Sequence, residues 1–213
     1  MPGSGANRAQ LEPSRVMAEI SSYQNELIRI HAALPEEVRL SDQSIARYMP
    51  SKERAGFVFL HTHLAICHID LYRFALPNMH EQTSIEVLKQ LPHDFIVKCQ
   101  KQTVAHALCL ARFCQAIQDE LEKQPKDGTL KLAGDCTIGH MSTQCLRVLL
   151  IALQHKLYEN LEGHSTAPLW RYERVDEPKI RTLITEGLFR VTEPWGEVLG
   201  IAKQAVRSIP RAP

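Results

Sequence analysis

Apolar residues recur at steps of three and four positions along several long segments, a spacing that places them on one side of an α-helix. The first segment begins at Pro13, a residue suited to a first helical turn, and ends near Ala33, before Pro35. Its apolar positions are Val16, Met17, Ile20, Tyr23, Leu27 and Ile30. This pattern predicts an amphipathic helix over residues 13–33, followed by a polar connection over residues 35–50.

The second predicted helix, over residues 52–76, is the most apolar of the chain. Ser51 can accept a hydrogen bond from its first backbone amides, and Pro77 ends it. Apolar side chains surround the helix except for one polar sector, which consists of Thr62, His63, Asp70 and Arg73. Because a helix that is apolar on nearly all sides must be buried, we predict that residues 52–76 form the central helix.

The middle of the chain predicts three further helices. A short one covers residues 83–90, a long one runs from Pro92 to about Gln124, and the next runs from Asp135 to about Leu161. The long helix has the clearest periodic stripe, made of Phe95, Ile96, Cys99, Leu110, Phe113, Cys114, Ile117 and Leu121. The loop over residues 124–135 separates the last two of these helices.

Two more helix starts follow an irregular segment over residues 164–175. Residues 176–178 and residues 192–194 each combine an acidic residue with a proline, which is typical of a first helical turn. No segment shows the alternation of a strand, so we predict an all-α array of about six or seven helices around residues 52–76. Residues 1–11 are expected to be disordered, and residues 12–213 to form one helical domain or the later part of a larger regulatory domain.

Composition and charge narrow the functional classes. The chain of 213 residues is 44% apolar and 23% charged, which is ordinary for a globular protein. Its 25 Lys and Arg against 24 Asp and Glu leave a formal charge of +1, which disfavours direct binding to nucleic acid. The apolar run over residues 57–76 carries too many polar side chains to favour a membrane span, so no membrane association is predicted.

The six cysteines do not form a compact zinc site, since no two of them are separated by only two residues. The first strong apolar run begins only at Phe57, so no secretory signal is expected before it. We therefore expect free thiols in a reducing intracellular compartment.

Three residue pairs have a spacing that lets two side chains bind one metal ion. They are His63 and Cys67, Cys136 and His140, and His106 and Cys109. His61 and His68 also share a helix face, but seven residues separate them by roughly 10 Å, too far for one ion. Structural zinc needs four converging ligands, so core thiols and partly buried imidazoles are the preferred interpretation, and no metal, cofactor or catalytic residue is predicted.

A scattered set of His and Asp residues leaves an enzymatic alternative open. His93 and Asp94, with His61 or His63 before them and Asp127 or Asp135 after them, follow the order found in helical metal-dependent phosphohydrolases. Asp94 also has a structural role available at the start of the long helix, where carboxylates bind backbone amides. The alternative requires that His61 or His63, His93 and Asp94 converge on one ion.

Three polar residues lie among apolar neighbours. His106 falls within the stripe of the long helix, and Asp70 and Arg73 are three residues apart on the central one. A buried polar group needs a partner, which Asp70 and Arg73 can provide for each other. The alternative is that these residues line a small-molecule pocket between helices.

The segment from Leu60 to Arg73, LHTHLAICHIDLYR, closed by Leu76 and Pro77, resembles the regulatory region of fungal zinc-cluster transcription factors. In that family a leucine-histidine pair, an apolar helix and a leucine-x-arginine ending precede a helix with cysteine and small residues. The later matching positions are Cys99, Ala105, Ala107, Asp135, Ile138, Gln144 and Arg147 to Leu150. The resemblance covers residues 50–160, and Leu64 departs from it where the family often has tyrosine.

The resemblance implies a nuclear transcription regulator that responds to a small-molecule effector and acts through a coregulator or a dimer, with a metabolic gene cluster as its expected target. The family binds DNA through a cluster of six cysteines with two zinc ions, which this sequence lacks, so zinc and DNA binding are not carried over to any residue. No catalysis is expected. The alternatives are the metal-dependent hydrolase and a helical interaction module unrelated to transcription.

Overall fold

The computed structural model describes residues 12–79, 85–123, 136–159, 161, 170 and 175–192. Every regular element in these ranges is helical, which confirms the all-α prediction. The helices are α1 (Pro13–Ala33), α2 (Asp42–Tyr48), α3 (Arg54–Tyr72), α4 (Ile85–Gln90), α5 (His93–Glu122), α6 (Cys136–Gln154), α7 (Glu177–Thr182) and α8 (Phe189–Thr192). The predicted disorder of residues 1–11, the loop over 124–135 and the helix expected after Pro194 lie outside the described residues. No described helix meets the length and hydropathy that a membrane crossing requires.

The bounds of α1 agree with the prediction, but its apolar stripe is wider than its buried face. Ile20 is buried beside Tyr72 and Cys99, in a small cluster between α1, α3 and the start of α5. Tyr23 and Ile30 are instead 63% and 40% exposed, on the outer side of the helix. One side of α1 therefore packs against α3, while its other side presents apolar groups to solvent.

Helix α2 corrects the prediction of a polar connection over residues 35–50. Ser41 accepts a hydrogen bond from the amide of Ser44 at 3.0 Å, and Ser44 accepts one from the amide of Ser41 at 2.9 Å. This reciprocal cap satisfies amides at the start of a helix. Ile45 and Met49 then enter the core, so α2 is held by burial as well as by its cap.

Helix α3 begins and ends inside the predicted range of 52–76. Ser51 does accept a hydrogen bond from the amide of Glu53, at 3.1 Å, but the helix starts at Arg54. It ends at Tyr72, and a 3₁₀ turn over Arg73–Ala75 continues the chain. Phe59 and Cys67 on α3 are exposed, so the helix is not buried on all sides.

The long helix α5 contacts α2, α3, α6 and α8, as well as the π turn that follows α7. Half of its thirty residues are buried, and these include Leu110, Phe113 and Ile117 of the predicted stripe. The centre of the described array is therefore α5, and the prediction that residues 52–76 occupy this place is not confirmed.

Helix α6 ends at Gln154, earlier than the predicted Leu161, because the chain closes it with a left-handed residue. Lys156 has a φ of 53°. Its amide donates to the carbonyl of Leu153 at 3.4 Å, and the amide of Leu157 donates to that of Ala152 at 2.9 Å. These two bonds form a Schellman motif, in which glycine usually takes the left-handed position.

Helix α7 starts as predicted, since Asp176 accepts a hydrogen bond from the amide of Lys179 at 2.9 Å. A π turn over Leu183–Leu188 joins α7 to α8 and packs against α5. Gly187 lies at this contact, where an added Cβ would come within 2.6 Å of the carbonyl oxygen of Ala111. The π turn can therefore approach α5 this closely only because residue 187 has no side chain.

Candidate functional site

A cavity of about 220 Å³ lies among α1, α3, α5 and the segment that links α1 to α2. We call it the histidine pocket, because four imidazoles line it. Its lining residues are His31, Leu34, Arg39, Leu40, His61, Ala65, His68, His106, Cys109 and Trp170. Apolar and aromatic walls with a few polar groups are typical of small-molecule sites.

The four imidazoles belong to three helices. His31 belongs to the last turn of α1, His61 and His68 lie two turns apart on one face of α3, and His106 lies midway along α5. His61, His68 and His106 are buried, and His31 is half-buried. Each histidine follows the apolar periodicity of its helix, so packing these helices together brings the rings to a common site.

Two of the rings are stacked, and a third lies tilted beside them. The His68 and His106 rings are parallel within 2°, with centroids 4.1 Å apart. The His31 ring lies 5.3 Å from that of His68, tilted by 30°. The pocket is therefore lined by one stacked pair of imidazoles and a third, tilted imidazole, and planar rings of this kind can also pack against a planar ligand.

His61 is oriented by a backbone contact. Its Nε2 lies 2.8 Å from the carbonyl oxygen of Val38, and since a carbonyl only accepts, Nε2 carries the hydrogen. The Phe57 and Phe113 rings pack against it in T-shaped arrangements, at centroid distances of 4.6 and 5.9 Å. His61 therefore ties α3 to the segment between α1 and α2 while it lines the pocket.

The other two buried imidazoles have unused hydrogen-bonding atoms. Both ring nitrogens of His68 lack a hydrogen-bond partner in the part of the chain that the structure describes. The same is true of the Nε2 of His106. His68 is 1% exposed and His106 4%, so bulk water does not solvate these rings freely. A buried polar atom without a partner costs about 1–3 kcal/mol. Packing alone would favour apolar residues at these two positions.

Burial keeps the imidazoles neutral at pH 7. It lowers the pKa of His61 and that of His68 to about 4, and the pKa of His106 falls well below its usual value. A charge on His31 would lower all three pKa values further. A neutral imidazole has one donor and one acceptor nitrogen, so the wall offers both kinds of group without a formal charge.

The fixed charge of the pocket comes from Arg39, whose side chain is exposed where the cavity meets the surface. Its Nε donates to the carbonyl of Leu34 at 2.9 Å, and its Nη2 to that of Ala32 at 3.0 Å, at the end of α1. A guanidinium has five N–H donors, and these two bonds use two of them. No Asp or Glu lines the cavity among the described residues. With neutral imidazoles, the described lining therefore carries one formal positive charge, that of Arg39.

The predicted pairing of Asp70 and Arg73 is present. Arg73 Nε lies 3.1 Å from Asp70 Oδ1, and Arg73 Nη1 donates to Gln144 Oε1 at 3.2 Å. The carboxylate of Asp70 is half exposed, so this pair lies at the edge of the core. Of His106, Asp70 and Arg73, the three polar residues predicted among apolar neighbours, His106 is the one that lines the pocket.

The proposed metal pairs do not form a metal centre in the described residues. His63 packs on Phe59 at a ring distance of 3.9 Å, and Cys67 is exposed. The thiol of Cys109 donates to the carbonyl of Trp170 at 3.7 Å, and burial raises its pKa to about 11. The described ranges contain no group of three potential ligands that could hold a metal ion. The side chains of Cys136 and His140 are not among those described.

The residues of the enzymatic alternative are similarly dispersed. His93 and Asp94 are exposed at the start of α5, whereas His61 lies in the pocket against Val38. The convergence that this alternative requires is therefore absent among these described residues. Asp127 and Asp135 lie outside the described part of the chain.

The sequence singles out His106 as a candidate for a small-molecule pocket and His61 as a possible metal ligand, but it gives no such role to His31 or Arg39, and residues 35–50 are predicted to be a polar connection. A usable signal was present: three predicted helices each carry histidine on an apolar face, where its polar nitrogens need a partner. No protein-family profile, no curated protein sequence and no solved structure shows a significant match to this chain.

Proposed function

We propose that this chain is a small-molecule-responsive regulatory domain of a transcription regulator, of the kind that its sequence resembles in fungal zinc-cluster factors. In this proposal it has no catalytic activity, works in the nucleus, and acts through a coregulator or a second copy. The observation that carries the proposal is the histidine pocket, with its buried and unsatisfied imidazoles between three helices.

A ligand in the histidine pocket would touch α1, α3 and α5 together. It can change their packing only if it binds one arrangement better than another, and a ligand that bridges three helices favours the arrangement in which all three contact it. α1 is the element best placed to respond, because it contacts α3 along one side and is exposed along the other.

The exposed side of α1 also supplies a surface that a partner can contact. Tyr23 and Ile30 lie seven residues apart, on the same side of the helix, and both are exposed. A change in the position of α1 on ligand binding would thus alter the surface that a partner protein contacts on the outer side of this helix. This coupling of two sites through one helix is what a regulatory domain requires.

A reporter assay tests the proposal. The full chain is fused to an unrelated DNA-binding module in a fungal cell, and expression of a reporter gene is compared with that given by the module alone at equal abundance. We expect a several-fold change in expression. Ala65→Leu, which places added carbon atoms at the pocket wall, should alter that change, whereas Ala33→Leu on the exposed end of α1 should not.

Equal expression from the module alone and from the fusion would contradict the proposal. If the silent fusion still binds protein partners through the exposed side of α1, the chain is an interaction module unrelated to transcription. Stoichiometric metal in purified protein, together with hydrolysis of a phosphate ester that His93→Ala abolishes, would instead support the hydrolase alternative.

A further inference from the structure

We propose that the histidine pocket binds a small planar carboxylate, with one or two rings, whose ring stacks on the imidazoles and whose carboxylate meets the guanidinium of Arg39. This names the ligand class of the effector site and rests on the proposed function only for its biological role. The binding itself is a property of the pocket and can be measured on the purified chain.

The volume of the pocket limits the size of the ligand. At about 220 Å³ it is smaller than the roughly 300–1,000 Å³ of sites for drug-sized molecules. It is larger than the cavities of about 150 Å³ that hold one benzene ring. A ligand with one ring and a short polar arm, or with two fused rings, fits between these limits, whereas a nucleotide or a haem is too large.

The walls of the pocket determine the shape of the ligand. The His68 and His106 rings are parallel and the His31 ring is tilted by 30°, so one side of the pocket consists of a stacked pair of rings with a third ring beside it. Trp170 and the aliphatic chains of Leu34 and Leu40 complete the lining. A flat unsaturated ring can stack in an offset manner on such a wall and gains both burial and ring contact.

The charges around the pocket determine the sign of the ligand. Arg39 contributes a permanent positive charge, no described lining residue is acidic, and the imidazoles can donate hydrogen bonds. Arginine binds carboxylates through parallel N–H donors, and such charge-assisted bonds are stronger than neutral ones. A carboxylate can thus accept hydrogen bonds from donors that the lining offers, whereas a cation would find no carboxylate among the described lining residues.

The test is calorimetric titration of the full chain with two acids and their amides, benzoate against benzamide and 1-naphthoate against 1-naphthamide. Each pair has the same ring and differs in charge. We expect the acids to bind at one site at least tenfold more tightly than the amides. His106→Phe, which keeps a planar ring but removes its nitrogens, should weaken the acids, and His63→Phe outside the pocket should not.

A second comparison isolates the arginine. Arg39→Gln should bring the affinity of the acids down to that of the amides. Arg29→Gln, on an exposed part of α1 with a side chain 79% exposed, should leave it unchanged. If Arg39→Gln fails to fold because the end of α1 loses its two hydrogen bonds, the pairs of acid and amide on the unaltered chain still decide the question.

Three results would overturn the proposal: amides that bind as tightly as acids, acids that show no saturable binding, or stoichiometric Zn²⁺ binding that His68→Phe abolishes. Failure here is separable from failure of the proposed function. A responsive reporter without acid binding would remove the ligand class alone, and acid binding with a silent reporter would remove the regulatory role alone.

Discussion

The two sides of α5 are packed in different ways. Toward α6 and the π turn, α5 presents small residues, so that its backbone itself is in contact: the thiol of Cys145 donates to the carbonyl of Ala107 at 3.2 Å, and Gly187 lies against Ala111. Toward α1 and α3, the neighbouring His106 presents a ring and borders a cavity. We call these the packed side and the histidine side.

The difference shows how one helix combines close packing on one side with a cavity on the other. On the packed side, close contacts fill space and every shift of the backbone meets a neighbour, so the geometry is fixed. On the histidine side, planar rings leave a cavity and unpaired nitrogens, which lower stability in the absence of a ligand. A ligand that fills the cavity would recover part of this loss as binding free energy.

Acidification should give the largest effect, and it acts on the histidine side. The pKa values of His61 and His68 are about 4 when folded and near 6.5 when unfolded, so between these values the unfolded chain binds more protons. Their contribution to stability is complete above pH 6.5 and is lost as the pH falls toward 4. The loss is on the order of 3 kcal/mol for each histidine. Urea unfolding at pH 7, 6, 5 and 4 measures it, and about two thirds of the loss should be present at pH 5.

His68→Phe is the matched variant for this pH dependence. It should reduce the slope of unfolding free energy against pH by up to about 1.4 kcal/mol per unit, the amount that corresponds to one proton. His155→Gln on the exposed turn after α6 should leave the slope unchanged. Equal slopes for all three proteins would mean that the buried histidines do not set the acid sensitivity.

Truncating one leucine on each side should separate them directly. Leu149 on α6 is fully buried in the main core, so Leu149→Ala is expected to cost about 2–5 kcal/mol. Leu34 already borders a cavity and is half-buried, so Leu34→Ala removes fewer contacts and should cost about 1 kcal/mol or less. Chemical denaturation of both variants measures the difference, and equal losses would contradict the distinction between the two sides.

Glycine substitutions test the close approach on the packed side. Gly187→Ala should destabilise the protein by about 1–3 kcal/mol, because the new methyl group meets the backbone carbonyl of Ala111. Gly56 on α3 is the control, since an added Cβ there has no atom within 4 Å. Gly56→Ala should instead stabilise the helix by about 0.5–1 kcal/mol. Thermal melting that shifts in the same direction for both variants would exclude the close approach.

The sequence predicted the helices that carry standard signals and missed those that use unusual residues. Pro13 and Pro92 precede regular apolar stripes, and both helices are present as predicted. α2 was missed because its cap uses Ser44 where a glutamate is the usual signal, and the end of α6 because Lys156 takes a position that glycine usually holds.

The histidine pocket was harder to predict for a different reason. Each histidine is visible in the sequence as a polar residue on an apolar face, but periodicity describes one helix at a time. That His68 stacks on His106 depends on how α3 crosses α5, and that Arg39 reaches the cavity depends on the fold of the segment after α1. Both are properties of tertiary packing.

The smallest expected effect concerns the exposed turn at the end of α6, where the local backbone geometry is not optimal. Lys156 holds a left-handed φ of 53° that a residue with a Cβ adopts at a cost of roughly 1 kcal/mol. Lys156→Gly removes this cost but adds freedom to the unfolded chain, so we expect a net gain of at most about 1 kcal/mol in unfolding free energy.

Lys156→Ala, which keeps the Cβ, should give no such gain. If glycine and alanine were equivalent in urea unfolding, the Schellman motif would not be what ends α6. A gain confined to glycine would show that the left-handed conformation of Lys156 carries a local cost, which the contacts of α6 with α5 outweigh in the folded protein.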